Sequence, residues 1–408
     1  MFSFIHAADL HLDSPLLGLE SKEGAPVERI RGATRTALSR LVDLCLKERV
    51  DFLLIAGDVY DGDWRDTSTG LFFNQQMRRL GAEGIRVYLI SGNHDAASVI
   101  TGELSLPENV HRFPVDGAET ISHPTLPVDL HGQGFRQAAV TENLTPNYPP
   151  GSSNRFDIGL LHCSVGDVEG SRHATYAPCS IADLLGLSYD YWALGHIHKK
   201  NVLHEDPHIV YSGNPQGRHF NEDGPRGCYK IVVDERLEIS SFEFEALHSV
   251  RWENLTFDIS ELDQITDLTQ PFVNALSGVE RDPHLLCLRT TVVGRTPLHS
   301  RIRKEPDQLR GVLQDAIDQS GIDCWLERVR LQTKPTVDLA ELASQSAAAR
   351  QIISALEGQP DVPLPADVTK VLKSLDQETS DYFSAEESNY ESFVIDALQP
   401  EGDGDDED

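Results

Sequence analysis

The stretch DFLLIAGDVYDGD, residues 51–63, sets the pattern for the first half of the chain. Its apolar run does not alternate with polar residues, which predicts a strand buried on both faces, as in a parallel sheet covered by helices. The run breaks at Gly57, and carboxylates follow at once at Asp58 and Asp61. Working outward, IRVYLISGNHD (85–95) repeats the design, ending in Gly92, Asn93, His94 and Asp95. FDIGLLHCS (156–164) delivers His162, and YDYWALGHIH (189–198) delivers Gly195, His196 and His198. Nearer the start, FSFIHAA (2–8) gives way to DLHLD, carrying Asp9 and His11. Five apolar strands thus end in Asp, His or Asn, at the end of an open α/β sheet where ligands bind.

Between the strands the period changes. Ile30, Ala33, Ala37, Leu38, Leu41 and Cys45 fall at helical spacing and predict a helix over 27–49, and a polar-faced helix is expected around 67–82. The arginines at 29, 31, 35 and 40 read as the solvated face of the 27–49 helix. After residue 200, HIVYSGNP, CYKIVVD and LEISSFEFEAL predict antiparallel strands completing a two-sheet core. From about 250, HLLCLRTTVVG (strand), 305–319 (helix) and CWLERVRLQT (strand) outline a small α+β module. Asp338 and Glu341 resemble a capping box opening a helix to about 357, with a shorter helix expected near 366–375 and a disordered acidic end.

At 408 residues the chain exceeds one compact core. Its six cysteines are scattered without a CxxC pair, which argues against a disulfide framework and a thiolate zinc site and favours buried free thiols. No apolar run reaches membrane-spanning length and no signal peptide is recognised at the start, so a cytoplasmic protein without membrane contact is expected. The net charge of −30 is unusual for a nucleic-acid binder. From Asp381 onward there are 11 acidic residues and no Lys or Arg, which leaves −19 on the remainder. An anionic substrate would therefore need local positive charge.

The strand-end residues supply it in principle. Carboxylate, imidazole and amide donors without thiolate suit Mn²⁺, Fe²⁺ or Zn²⁺ better than Mg²⁺ or Ca²⁺. Two such ions ~3.5–4 Å apart clamp an in-line displacement at phosphorus. In extended backbone residues i and i+2 share a side, so Asp9 with His11, and His196 with His198, are expected to face one spot. A glycine before a ligand lets the chain turn sharply and approach the site.

Taken in order, D-x-H, GD-x-x-D, GNHD, a lone His and GH-x-H resemble the signature of the calcineurin-like metallophosphoesterases. HAADLHLDSPL, GDVYDGD, SGNHD, ALGHIHKK and GNPQGRHFNE are similar, within that superfamily, to the SbcD group of DNA-repair exonucleases and its YhaO-type bacterial members. The resemblance implies an α/β, calcineurin-like four-layer sandwich of two packed β-sheets flanked by helices over residues 1–245. It further implies a capping domain at 250–335 and a helical, acidic partner-docking segment at 336–408. One metal would be held by Asp9, His11, Asp58 and His198, and a second by Asp58, Asn93, His162 and His196. A hydroxide between them would attack phosphorus. His94 would assist the leaving group, oriented by Asp95 or Asp61, and Arg218 is a candidate phosphate contact.

The resembled nucleases use Mn²⁺, cut 5′-mononucleotides from a 3′ end, dimerise, and work with an SMC-like coiled-coil ATPase, so DNA and such an ATPase are the expected partners. A phosphodiesterase for cyclic nucleotides or nucleotide esters would carry the same motifs, and the ~160 residues beyond the core favour the DNA reading. A non-catalytic scaffold would be expected to have lost ligands, and none is missing.

Overall fold

A computed structural model of the chain describes residues 1–15, 22, 24–61, 67–97, 105–152, 154–166, 175–279 and 285–336. The expected helices at 338–357 and 366–375 and the acidic end lie outside these residues.

The chain divides into two compact units. The first comprises Met1–Asn254 with Arg281–Leu288 and Asp323–Glu327. It opens with β1 (Phe2–Ala7), α1 (Val27–Arg31) and α2 (Ala33–Glu48), then β2 (Phe52–Ala56), α3 (Thr67–Ala82), β3 (Arg86–Ile90), α4 (Asn93–Ala97) and β4 (Val110–Arg112). There follow β5 (Glu119–Ser122), β6 (Val128–Gly132), β7 (Phe156–His162), α5 (Ile181–Leu185) and β8 (Tyr191–Gly195). The last strands wholly within it are β9 (Asn201–Glu205), β10 (His208–Tyr211), β11 (Gly227–Val233) and β12 (Ile239–Ala246).

Two six-stranded sheets result, ordered β12-β11-β1-β2-β3-β4 and β5-β6-β7-β8-β10-β9. Both are mixed: β1, β2, β3 and β4 run parallel, as do β6, β7, β8 and β10, with antiparallel strands at the margins. Apolar side chains leave both faces of the central strands, as the unalternating runs predict. Phe4, Phe52, Leu54 and Ile90 meet Leu130, Ile158, Leu160 and Tyr191 between the sheets. Ile5, Leu53, Ile55 and Leu89 turn the other way onto Leu38, Leu41, Phe73 and Met77 of α2 and α3. Trp192 and Leu194 pack under Tyr148 and Tyr189 on the outer side of the second sheet.

Two expectations are corrected. The helix over 27–49 is broken at Gly32, whose φ −78°, ψ −3° ends α1 before α2 begins. The strand HIVY does not pair only antiparallel, because β10 lies parallel to β8. The arginines of this region are also more than a solvated face. Arg29 makes a two-pronged pair with Asp323 at 3.0 and 2.6 Å, Arg35 grips Asp13, and Arg40 reaches the carbonyls of Leu247 and His248. All six cysteines are free thiols, and five are buried.

The second unit comprises Leu255–Glu280, Arg289–Ile322 and Arg328–Asp408. Strands β13 (Val250–Asp258), β14 (Leu285–Arg295) and β15 (Cys324–Lys334) form a third sheet in that order, and α6 (Thr269–Ser277), α7 (His299–Lys304) and α8 (Pro306–Ser320) lie between them in the chain. Phe257, Phe272, Val292, Ile302, Leu309 and Leu313 are among its buried apolar residues. Pro306 occupies the first turn of α8 and Gly321 closes it at φ +68°, the usual asymmetry of helix ends. No helix among the described residues is long and apolar enough to cross a membrane.

Candidate metal centre

Strand β2 lies against β7 and β8, so the carboxyl ends of strands from both sheets reach one place. Beyond those ends the backbone leaves extended geometry. Asp9, His11, Asp58 and His196 have φ of 54°, 42°, 52° and 95°. Strand alternation, expected to turn i and i+2 to one side, therefore does not set these side chains, and left-handed turns aim them instead. Each such residue costs roughly 1–3 kcal/mol, a strain that persists only where surrounding contacts over-determine it. Those contacts are a ladder between the first two strand ends: Asp9 N–H donates to Gly57 O, His11 N–H to Asp58 O and Leu12 N–H to Val59 O, each at 3.0 Å.

The three glycines allow close approach. Only Gly57 has positive φ (+95°). A Cβ on Gly92 would strike Asp58 Oδ1, one on Gly195 would strike the Ala56 carbonyl, and one on Gly57 would come 2.5 Å from His162 Nδ1.

Asp9 and Asp58 are each 1 % exposed. Asp9 accepts from the His196 N–H at 3.0 Å, and Asp58 accepts from the His94 N–H at 2.9 Å. Burial pushes the Asp9 carboxyl above the ordinary range. Burial acts in the same direction on Asp58, but the imidazoles of His162, His11 and His94 together outweigh it and hold that carboxyl well below. His162 Nδ1 lies 2.9 Å from the Ala56 carbonyl, which fixes the proton there. Its Nε2 then faces Asn93 Oδ1 at 3.0 Å and Asp58 Oδ2 at 3.4 Å. Burial would lower the His162 imidazole, yet the two aspartates raise it to about 9.

A second convergence involves His11 and His198, whose Nε2 atoms stand 3.1 Å apart. His198 Nδ1 lies 2.6 Å from Glu222 Oε1, so its proton belongs there and Nε2 is the nitrogen turned toward His11. Burial drives the His11 imidazole down to about 3.

Among the described residues, three groups of donor atoms have members within 4.8 Å of one another: Asp9, His11 and His198; His11, Asp58 and His94; and Asp9, Asp58 and His162. Asp9 and Asp58 each occur twice, so either carboxylate is placed to be shared. The donors fit divalent cations: nitrogens and oxygens aimed at each other across buried space, with anions that no Lys or Arg hydrogen-bonds among the described residues. His196 enters through its backbone, and its ring lies 5.4 Å from that of His162. Asn93 faces His162 from the first turn of α4.

Beside the cluster, His94 Nδ1 lies 2.8 Å from Asp61 Oδ1. Burial lowers this imidazole, but Asp61 and Asp58 outweigh it and raise it above the ordinary value. Asp95 takes a different place: its carboxylate accepts the backbone N–H groups of Tyr60 and Gly92, both at 3.0 Å, and so braces two strand ends. Arg218 is 14 % exposed at its side chain, and its guanidinium lies 3.0 Å from Glu222 and 3.5 Å from Asp61. The Lys200 ammonium covers the Phe244 ring at 3.4 Å. Sequence reasoning missed Glu222 and Asp13. Asp13 accepts from Arg35 and Thr69, and its backbone N–H donates to Thr34 Oγ1 of α2, which pins the turn carrying His11.

Residues 2–200 match the family model of calcineurin-like phosphoesterase, and residues 252–334 match that of the middle domain of metallophosphoesterase YhaO. The chain is 34% identical over 346 residues to the uncharacterized metallophosphoesterase YhaO of Bacillus subtilis (strain 168), covering 83% of this chain and 84% of that one. It is 24% identical over 263 residues to the DNA double-strand break repair protein Mre11 of Methanopyrus kandleri, covering 59% of this chain and 55% of that protein. Among solved structures, a dimetal phosphatase from Danio rerio matches with a TM-score of 0.35 at 13% identity, over 60% of this chain and 99% of that chain.

Proposed function

This chain belongs to the calcineurin-like metallophosphoesterases, and from that premise we propose that it is a two-metal phosphodiesterase acting on DNA. The observation that carries the reading is the pair of buried carboxylates, Asp9 and Asp58, with His162 on one side and His11 with His198 on the other. Asp9, His11, Asp58 and His198 would hold one ion, and Asp58, Asn93, His162 and His196 the other. Divalent ions there, most naturally Mn²⁺, would activate water and neutralise phosphate charge, and they offset locally a net charge of −30. Asp61 fixes the Nδ1 proton of His94, which leaves Nε2 to hand a proton to the departing oxygen. The left-handed turns and close-packed glycines hold these groups fixed, so little reorganisation is needed during reaction.

The DNA reading draws on the likeness to an Mre11 repair protein and on the extra domain beyond residue 250. The chain would act as a 3′ to 5′ exonuclease, with endonuclease activity a related outcome, alongside an SMC-like coiled-coil ATPase and as a homodimer. Full-length protein with Mn²⁺ is to be given 3′-labelled duplex and single-stranded DNA beside bis-p-nitrophenyl phosphate. Release of labelled mononucleotide is expected. Cleavage of the small ester alone, even with the ATPase present, would refute the nuclease assignment and leave a small-molecule phosphodiesterase.

A further inference from the structure

We propose that Glu222 is a positioning residue for the metal centre, setting the tautomer and direction of His198. This rests on the two-metal reading above. Glu222 is 5 % exposed and four residues beyond Arg218, far in sequence from any ligand. Its Oε1 takes the His198 Nδ1 proton at 2.6 Å. Its Oε2 is itself held, accepting from Asn214 Nδ2 at 2.9 Å and from the Arg218 backbone N–H at 2.7 Å. Arg226 in turn donates to Asn214 Oδ1 at 3.1 Å and to the His198 carbonyl. The carboxylate is thus fixed from behind before it meets the imidazole.

A carboxylate on Nδ1 does two things for a ligand histidine. It keeps the proton off Nε2, and it makes Nε2 more basic. Arg218 Nη2 also lies on that edge, 3.2 Å from Nδ1, and cannot accept a proton. Without Glu222 the Nδ1–H would face a cation, and the tautomer with the proton on Nε2, toward His11, would gain. Arg218 has the complementary part. Its guanidinium touches Glu222 at 3.0 Å, Ser14 Oγ at 3.4 Å and Asp61 at 3.5 Å. It therefore links the carboxylate behind His198 to the carboxylate behind His94. The geometry turns Arg218 toward these anions as their counter-charge.

A merely structural Glu222, anchoring its own loop, predicts something different: lower stability with unchanged metal affinity. Metal-stripped full-length protein is titrated calorimetrically with MnCl₂, and its thermal unfolding in chelator is measured in parallel. Wild type should bind two ions. Glu222→Gln keeps the shape, and one of the two affinities should fall about 10–100-fold while the other stays within about threefold. His198→Ala should weaken that same ion. Asn214→Ala removes only support behind Oε2 and should weaken it by about two- to tenfold, which keeps the test available if the Gln variant does not fold. Both affinities unchanged in folded Glu222→Gln and Asn214→Ala would overturn the proposal alone. A wild type that binds no Mn²⁺ would overturn it together with the two-metal reading.

Discussion

At position 94 an imidazole sits beside the metal-ligand candidates, with its Nδ1 on Asp61 at 2.8 Å and its backbone N–H on Asp58. The side chain is 38 % exposed, open enough to meet a substrate oxygen. It also falls within one of the three donor groups, with His11 and Asp58, so two roles compete for it. They separate in one variant. His94→Ala should lower turnover of bis-p-nitrophenyl phosphate by about 10²–10⁴-fold, the usual worth of a general acid, while two Mn²⁺ remain bound by elemental analysis. Loss of an ion in that variant would reassign His94 as a ligand. Asp61 and Asp95 show what one-dimensional reading cannot separate. Both follow a strand and lie near His94, and only the fold reveals that Asp61 meets the imidazole while Asp95 accepts backbone N–H groups.

At the scale of elements, β1 carries an unusual core residue. His6 is fully buried between the sheets, with Nδ1 2.9 Å from the Tyr191 hydroxyl of β8. Burial drives its imidazole down to about 3 from an ordinary 6.5. The folded protein therefore keeps His6 neutral where the unfolded chain takes up a proton. Its contribution is fully present above pH 6.5 and is lost as pH falls toward 3, at about 1.4 kcal/mol per pH unit inside that window. In urea unfolding of metal-stripped protein between pH 6.5 and 5, wild type should lose stability relative to His6→Phe as the pH falls. An identical slope in the variant would contradict the assignment.

The same elements show how far the sequence could be read. The five ligand-bearing strand ends were legible because buried parallel strands leave unbroken apolar runs that stop abruptly at polar residues. Strands β4, β5, β9 and β13 were not, being short or mixed in polarity at the sheet margins, nor was β6, whose five residues VDLHG mix polar with apolar although it is buried. The left-handed turns at Asp9, His11 and His196 were hidden too, since these are not glycines and positive φ is imposed by tertiary contacts. Glu222 escaped because its partner His198 is 24 residues away, and nothing local marks the pair.

For the whole molecule, two mixed sheets bring candidate ligands from distant parts of the first 200 residues to one place, in a chain whose net charge is −30. A net charge of that sign disfavours the approach of a phosphodiester, and bound cations would offset it locally. Metal is then expected to be the condition of activity rather than an enhancement of it. The direct measurement is hydrolysis of bis-p-nitrophenyl phosphate by metal-stripped full-length protein as Mn²⁺ is added, with bound metal determined at each point. Activity should be absent without metal and should reach its plateau as two ions per chain are bound. Full hydrolysis in excess chelator, or none at any metal load, would contradict the account.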